Sequence, residues 1–421
     1  MVENVPPAPL SLRKRILFSA ILIVLLGLIL ETGACVYLKA TRGYDGEHLM
    51  QYGFDPYKNM RLVPGYVDSR GIRHNAQGFR HDGPVSRRKA DDTTRIFLMG
   101  ASTAYGLGGL WPHIQDDFPV IDNDDLISAY LQRQLESAYP GRRFEVINAA
   151  ITSTWSHHHL IYLNQSILGY DPDVVVLLDG FNDYYRDLPD HDQFASYAYG
   201  EHSQVIMGPP TLRSLAKANG WWFFRKSRFV HVAGRAGRTA KQLFAGEPEQ
   251  PPIDVDANYA IWSEVFDRSA LAMNRRIAAL LDVEGVQALF VQQPMLIFER
   301  DRLETMPGIE RKLFEFNVES YRPNYEEFVG RAAVEASRRM GPEVRRFGAR
   351  FLDARDVFGP DVAEQIFTDY CHLTPEGNDR LARAILDGLK PLLEAAAWSG
   401  DPGGAAAPTT DTSPVSDAAG G

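Results

Sequence analysis

Residues 95–102 read RIFLMGAS, an apolar run followed by glycine, alanine and serine. A short apolar run of this kind, bounded by a turn residue, predicts a buried strand. Gly100 permits a tight turn where the strand ends. Ser102 would then lie at the carboxyl edge of a parallel sheet, where folds of this class bind their ligands.

Four similar apolar runs follow along the chain, and helical spacing appears between them. The runs lie at 144–147, 174–178, 288–291 and 351–352, and the helical segments at 126–138 and 270–281. Apolar strands that alternate with helices predict a parallel sheet covered on both faces. We therefore expect an α/β domain over 93–397, with about five parallel strands between two layers of helices.

The end of the predicted domain is marked by a capped helix. Thr374 is a suitable N-cap, Pro375 fits the first helical position and Glu376 suits the first turn. The remainder, 398–421, consists largely of Gly, Ala, Pro, Thr and Ser and is predicted to be disordered. An insertion at about 186–258 contains an aromatic run at 221–224. It is interpreted as a helical subdomain packed on the core, or alternatively as a lid or membrane-facing surface.

The N-terminus carries a targeting signal. Three basic residues at 13–15 precede an apolar segment that reaches Leu38 and is interrupted by Glu31. Over 16–38 it is long enough to cross a bilayer, which needs about 20 residues. We expect a cytoplasmic stub and an uncleaved signal-anchor over 1–38, an irregular juxtamembrane region over 39–92, and an extracytoplasmic catalytic domain. Cleavage after the small residues at 32–34 is the alternative.

Composition excludes several classes of function. The chain has 421 residues and a net charge of −10, which offers no electrostatic footprint for nucleic acid. Its two cysteines, Cys35 and Cys371, are not expected to form a disulfide, because Cys35 lies in the apolar segment. No spacing resembles a zinc site, so neither a metal nor another cofactor is predicted.

Chemically useful side chains follow the predicted strands or precede the last helix. Ser102 follows the first strand, Asn182 the third, and Asp369 with His372 precedes the helix. Acyl transfer by a serine needs a base, a carboxylate that orients the base, and donors for the oxyanion. A separation of three residues in a turn can bring Asp369 and His372 to one side. Each feature alone also has a structural interpretation, as an N-cap, an Asx turn or a surface pair.

Together these features resemble the SGNH/GDSL hydrolase family across about 93–395. The block I serine matches Ser102, although the usual Gly-Asp-Ser is Gly-Ala-Ser here. Block III Gly-x-Asn-Asp matches Gly180, Asn182 and Asp183, and block V Asp-x-x-His matches Asp369 and His372. Block II departs from the pattern, because Ser153 stands where the family usually has glycine.

The resemblance implies a three-layer α/β/α, flavodoxin-like fold and an SGNH-type serine esterase. Its catalytic triad would be Ser102, Asp369 and His372, and its oxyanion hole the N–H groups of Ser102 and Ser153 with the Asn182 side chain. Gly100, Gly180 and Asp183 would support this site. An extracytoplasmic location suggests surface polysaccharide or lipid esters as substrates. Two alternatives stay open: an O-acyltransferase acting on glycans, and a catalytically silent glycan-binding protein.

Three other patterns carry weaker signals. The α/β-hydrolase elbow Gly-x-Ser-x-Gly is not matched, because Ala104 takes its last position. Histidines at 157–159 suggest a metal site, but adjacent histidines diverge on a helix, and a half-exposed helix is the favoured interpretation. The aspartates at 116–125 lack the glycine and glutamate of an EF-hand, so a solvated loop is expected.

Overall fold

The computed structural model describes residues 11–42, 51–55, 57–68, 70–109, 121–184, 220, 226–245, 252–320 and 323–398. The strands are β1 (Tyr52–Asp55), β2 (Asn59–Leu62), β3 (Thr93–Gly100), β4 (Arg143–Asn148), β5 (Val174–Asp179), β6 (Gln287–Gln292) and β7 (Arg350–Asp353). The α-helices are α1 (Leu12–Arg42), α2 (Ser102–Tyr105), α3 (Ile127–Ala138), α4 (Ser156–Tyr162), α5 (Phe181–Tyr184), α6 (Arg228–Ala245), α7 (Val255–Phe266), α8 (Ala272–Val283), α9 (Gly308–Ser320), α10 (Tyr325–Arg345) and α11 (Pro375–Trp398). The aromatic run at 221–224, most of the predicted insertion and the tail from 399 lie outside the described residues.

A five-stranded sheet forms the centre of the domain. Its strands pair in the order β4-β3-β5-β6-β7, and every pairing is parallel. Counted within the domain this is the order 2-1-3-4-5, the flavodoxin-like arrangement. The predicted α/β/α domain with about five parallel strands is therefore confirmed. The point where the strand order reverses lies beside β3, the strand that leads to Ser102.

Helices cover both faces of the sheet. Alternate residues of β3 divide between the faces: Ile96 and Leu98 join one buried cluster, and Phe97 and Met99 join the other. The first cluster contains the apolar stripes of α3 and α11, and the second contains those of α7, α8 and α10. Side chains in β-strands alternate between faces, so a run that is apolar throughout is buried only when both faces are covered.

Helix α1 is the candidate membrane span. An 18-residue window within Leu12–Thr41 has a mean hydropathy of 2.4, and none of that window is buried. Further along, Ala34 and Leu38 are buried. Glu31, which interrupts the apolar segment, accepts hydrogen bonds from Ser227 Oγ (2.7 Å) and the Arg228 N–H (2.6 Å) at the start of α6. The helix thus has an exposed apolar part and a part that contacts the start of α6.

The region between α1 and β3 is more ordered than the sequence indicated. Strands β1 and β2 form an antiparallel hairpin, and residues from both this hairpin and the following segment enter the two clusters. Phe79, for example, is 1% exposed and packs edge-on against Phe97 of β3, with ring centroids 5.6 Å apart. The described part of 51–92 therefore packs as part of the α/β domain.

Candidate active site

The turn after β3 requires glycine. Gly100 has φ +152°, and a Cβ built there would lie 2.4 Å from the carbonyl oxygen of Leu178 on β5 and 2.7 Å from the Cβ of Ala104. The missing side chain lets the chain turn directly from the sheet into α2, whose first residue is Ser102. Ser102 is partly exposed at the carboxyl edge of the sheet.

The block V pair lies in the turn before α11. Nδ1 of His372 lies 2.7 Å from Oδ2 of Asp369, and both side chains are fully buried. The other carboxylate oxygen, Oδ1, accepts the backbone N–H groups of Cys371 and His372, each at 2.9 Å. Because an ionised carboxylate only accepts, the proton between the two side chains belongs to Nδ1. This tautomer leaves Nε2 as the basic nitrogen.

Burial and charge act in opposite directions on this pair. Burial disfavours the charged forms, but the Asp369 carboxylate and its hydrogen bond outweigh burial and hold the pKa of His372 well above its ordinary value. The imidazole and the donated N–H groups likewise outweigh burial at Asp369 and lower its pKa. Within the described structure Nε2 of His372 is buried without a hydrogen-bond partner. A buried nitrogen that is left unpaired in this way is available to a reacting group.

A side-chain hydrogen bond joins α2, the candidate nucleophile helix that begins at Ser102, to the turn that contains His372, the histidine turn. The hydroxyl of Thr103 donates to the carbonyl of Cys371 at 3.0 Å. Ser102 precedes Thr103 and His372 follows Cys371, so this bond holds the turn that contains His372 against the helix that begins at Ser102. Nδ1 of His372 is bonded to Asp369 and Nε2 has no partner among the described residues, so His372 is not hydrogen-bonded to Ser102. Catalytic hydrogen bonds are often long before substrate binds.

The predicted oxyanion donors are connected through Thr154. Nδ2 of Asn182 donates to the Thr154 carbonyl at 2.8 Å, and Ser153 is the preceding residue. Ser153 has φ +58°, the left-handed conformation that glycine adopts most easily. The serine therefore takes the backbone conformation that the family pattern assigns to a glycine.

The predicted supporting residues pack behind this edge. A Cβ at Gly180 would lie 2.6 Å from that of Gln293, which explains the glycine. Asp183 accepts hydrogen bonds from the Ser156 N–H (2.9 Å) and Oγ (2.8 Å). Burial and the charge of Asp179 raise the pKa of Asp183 to about 7.

A second His–Asp pair was not predicted from the sequence. His159 Nδ1 lies 3.1 Å from Asp179 Oδ2, and its Nε2 lies 3.1 Å from Thr154 Oγ1. The favoured interpretation of 157–159 as a half-exposed helix fits poorly here, because His158 and His159 are buried in α4. The available signal was Asp179 as the last residue of an otherwise apolar strand.

The segment before β3 binds the end of α2, the candidate nucleophile helix, through side chains that do not belong to the sheet. The buried guanidinium of Arg80 donates to the carbonyls of Tyr105 (2.7 Å) and Gly106 (2.6 Å) at the end of α2. The Tyr105 hydroxyl donates to Gln51 Oε1 at 2.8 Å and lies 2.9 Å from His74 Nε2. Burial lowers the pKa of His74 to about 4, so this histidine is neutral and serves packing.

Asp369, Cys371 and His372 also have the composition of a metal site, with ligand atoms within 4.8 Å of one another. Thiolate is the form of cysteine that binds metal, and burial raises the pKa of Cys371 and keeps its thiol protonated. Nδ1 of His372 is already used by Asp369. These contacts favour a hydrogen-bonded pair over a metal site.

Comparisons with known proteins give structural likenesses only. No protein-family model and no curated protein matches the chain. Among solved structures, LAE5, an alpha/beta hydrolase enzyme from the metagenome of Lake Arreo in Spain, is 12% identical, with a TM-score of 0.36 over 71% of this chain and 96% of that one. Axe2, an acetylxylan esterase from Geobacillus stearothermophilus, is 14% identical, with a TM-score of 0.32 over 71% and 96%. A putative GDSL-like lipase from Parabacteroides merdae is 12% identical, with a TM-score of 0.34 over 73% and 99%.

The described domain has a flavodoxin-like α/β/α fold, and its predicted site residues occur in the order of the SGNH sequence blocks. The strand order is 2-1-3-4-5, and the block I, II and III residues follow β3, β4 and β5 in that order. The pair that resembles block V lies in the turn before the last helix, which is capped by Thr374 through its bond from the Gly377 N–H (3.2 Å).

Proposed function

We propose that the protein is a serine esterase that hydrolyses acyl esters through an acyl-enzyme. The observation that carries this proposal is the buried Asp369–His372 pair, whose free Nε2 lies in a turn bonded to the nucleophile helix. A general base needs an orienting partner on one nitrogen and nothing on the other. A purely structural histidine would normally use both.

In the proposed mechanism, Ser102 Oγ attacks the ester carbonyl while Nε2 of His372 takes the hydroxyl proton. The tetrahedral intermediate then collapses, the ester C–O bond breaks, and the imidazolium gives its proton to the leaving alcohol. Water repeats the sequence on the acyl-enzyme, releases the acid and restores Ser102. Asp369 stays ionised throughout and stabilises the imidazolium.

The negative charge that develops on the carbonyl oxygen requires donors at the same edge. We assign this role to the N–H groups of Ser102 and Ser153 and to Asn182 Nδ2. The left-handed φ of Ser153 and the bond that anchors Asn182 to Thr154 support the assignment. An amide nitrogen carries two hydrogens, so Asn182 retains one for the oxyanion.

We also propose that α1 is retained as a membrane anchor, with the catalytic domain outside the cytoplasm. Cleavage after Ala34 would remove Glu31 and so break its hydrogen bonds to the start of α6. It would also remove Ala34, which is buried. The basic residues at 13–15 favour a cytoplasmic N-terminus. Surface polysaccharide or lipid esters follow as the substrate class from this location. A reporter fused to the C-terminus together with N-terminal sequencing tests the topology, and trimmed, soluble protein would contradict it.

The decisive experiment for the activity is labelling with a fluorophosphonate, with the adduct mapped by mass spectrometry. We expect one adduct, at Ser102. Ser102→Ala should abolish labelling and should lower the rate of aryl-ester hydrolysis by several orders of magnitude. Ser156→Ala is the matched control for labelling, because that hydroxyl donates to Asp183 instead of facing the histidine turn. An active Ser102→Ala protein would refute the mechanism. Acylated acceptor in place of free acid would indicate a transferase.

A further inference from the structure

The second His–Asp pair lies directly beneath the proposed oxyanion hole. His159 and Asp179 are each 3% exposed, and His159 connects Asp179 on β5 to Thr154 in the loop after β4. The Thr154 hydroxyl donates its own hydrogen to the Ile151 carbonyl at 2.5 Å. Thr154 Oγ1 must therefore accept from His159, and Nε2 carries a proton.

The same threonine holds Asn182. The Thr154 side chain is fixed by His159, while its backbone carbonyl accepts from Asn182 Nδ2 at 2.8 Å. The chain of contacts therefore runs from Asp179 through His159 and Thr154 to Asn182. Ser153, the other loop donor in the proposed hole, is covalently joined to this threonine. One buried pair is thus linked to two of the three proposed oxyanion donors.

The pair has no access to substrate of its own. Asp179, His159 and Thr154 have the order of an acid, a base and a hydroxyl, which is also the order of a catalytic triad. Thr154 is 2% exposed, however, and its hydroxyl already donates to a backbone carbonyl. A nucleophile must reach substrate with its proton directed to the base. The arrangement instead suits a support for neighbouring groups.

We propose that His159 is a positioning residue for the oxyanion hole, acting through Thr154 on the Ser153 N–H and the Asn182 amide. This inference rests on the proposed esterase function. Oxyanion donors are effective because they are fixed before the charge develops. Contacts on both ring nitrogens fix the imidazole of His159 in place, and Asp179 and the Gly100 carbonyl outweigh burial and raise its pKa. Asp183, which binds Ser156, and the neighbouring His157 and His158 are the other nearby titratable groups.

The test uses the full-length protein in detergent, with kcat and KM measured on a short-chain aryl ester. Thr154→Val removes the hydroxyl and keeps the shape of the side chain. It should lower kcat about 10-fold with KM almost unchanged, a smaller decrease in kcat than removal of an oxyanion donor would cause. Thr154→Ser should restore kcat to within about 3-fold of the wild type. Thr305→Val is the matched control, because it removes a hydroxyl–carbonyl bond to Pro360 remote from the proposed donors.

A double-mutant cycle separates positioning from general damage. In an Asn182→Ala background, Thr154→Val should cost clearly less than it does alone, because the donor that it positions is already absent. Equal losses in both backgrounds, or wild-type kcat for Thr154→Val, would overturn the proposal. His159→Gln is the second variant for the same cycle.

Hydrogen exchange measures the linkage without substrate. Thr154→Val should increase exchange in peptides that cover 151–154 and 181–183, and unchanged exchange would also overturn the proposal. If the wild type shows this linkage but no ester hydrolysis dependent on Ser102, the proposed function fails while the structural link is supported. If the wild type hydrolyses esters and Thr154→Val has no effect on kcat or exchange, only this inference fails.

Discussion

Replacing Arg80 by methionine should destabilise the protein by about 3–5 kcal/mol. The guanidinium donates to the carbonyls of Tyr105, Gly106 and Ile121 and contacts the side chain of Asn123 at 3.3 Å. Methionine fills similar space and donates nothing, so three carbonyls lose this donor. Each unsatisfied buried acceptor costs about 1–3 kcal/mol, and relief from burying a charge offsets part of the sum.

The assay for this prediction is urea unfolding followed by tryptophan fluorescence in detergent, with the slope and midpoint both measured. Arg311→Met is the matched control, because Arg311 also donates to backbone carbonyls but is exposed. It should change the free energy of unfolding by no more than about 0.5 kcal/mol. Arg80→Met should also slow fluorophosphonate labelling, since it loosens the end of α2. A loss of less than about 1 kcal/mol for Arg80→Met would refute the reasoning.

Three further predictions concern the site. Asp369→Asn should lower kcat by about 10³–10⁴. It should also move the acidic limb of kcat/KM to lower pH, because His372 must be neutral to act and its raised pKa depends on the carboxylate; an unchanged limb would contradict the pairing. Asn182→Ala should lower kcat by about 10²–10³ with a smaller change in KM, and an effect on KM alone would mean that this residue only binds substrate. Gly100→Ala should lower the melting temperature markedly because its Cβ meets a carbonyl of β5, whereas Gly308→Ala, with open space around it, should not.

The sheet and the last helix could be predicted because their signals are local. Each central strand is a short apolar run, and burial on both faces follows from that pattern. The capping residues of α11 are adjacent in sequence, so Thr374 and Pro375 mark its start directly. Asp369 and His372 lie three residues apart in one turn, so their contact could also be expected.

The supporting contacts could not be predicted because their partners are distant in sequence. Arg80 meets Tyr105 across 25 residues, and His159 meets Asp179 across 20. Periodicity indicates which side of an element is buried but does not identify the partner. Strands β1 and β2 have only four residues each, too short for a clear alternation. The segment before β3 therefore gave an irregular pattern although it packs closely on the sheet.

The contacts of this segment with α2 decide where a soluble form of the protein can begin. A truncation at residue 93, where the first strand of the central sheet begins, would remove Gln51, His74 and Arg80. These three side chains bind Tyr105 at the end of α2. Such a fragment would expose the apolar surface that Phe79 covers and would tend to aggregate. A truncation between α1 and Gln51 removes the candidate membrane span and keeps all of these contacts. Truncated forms for expression should therefore begin about forty residues before residue 93, the boundary that the strand pattern alone would suggest.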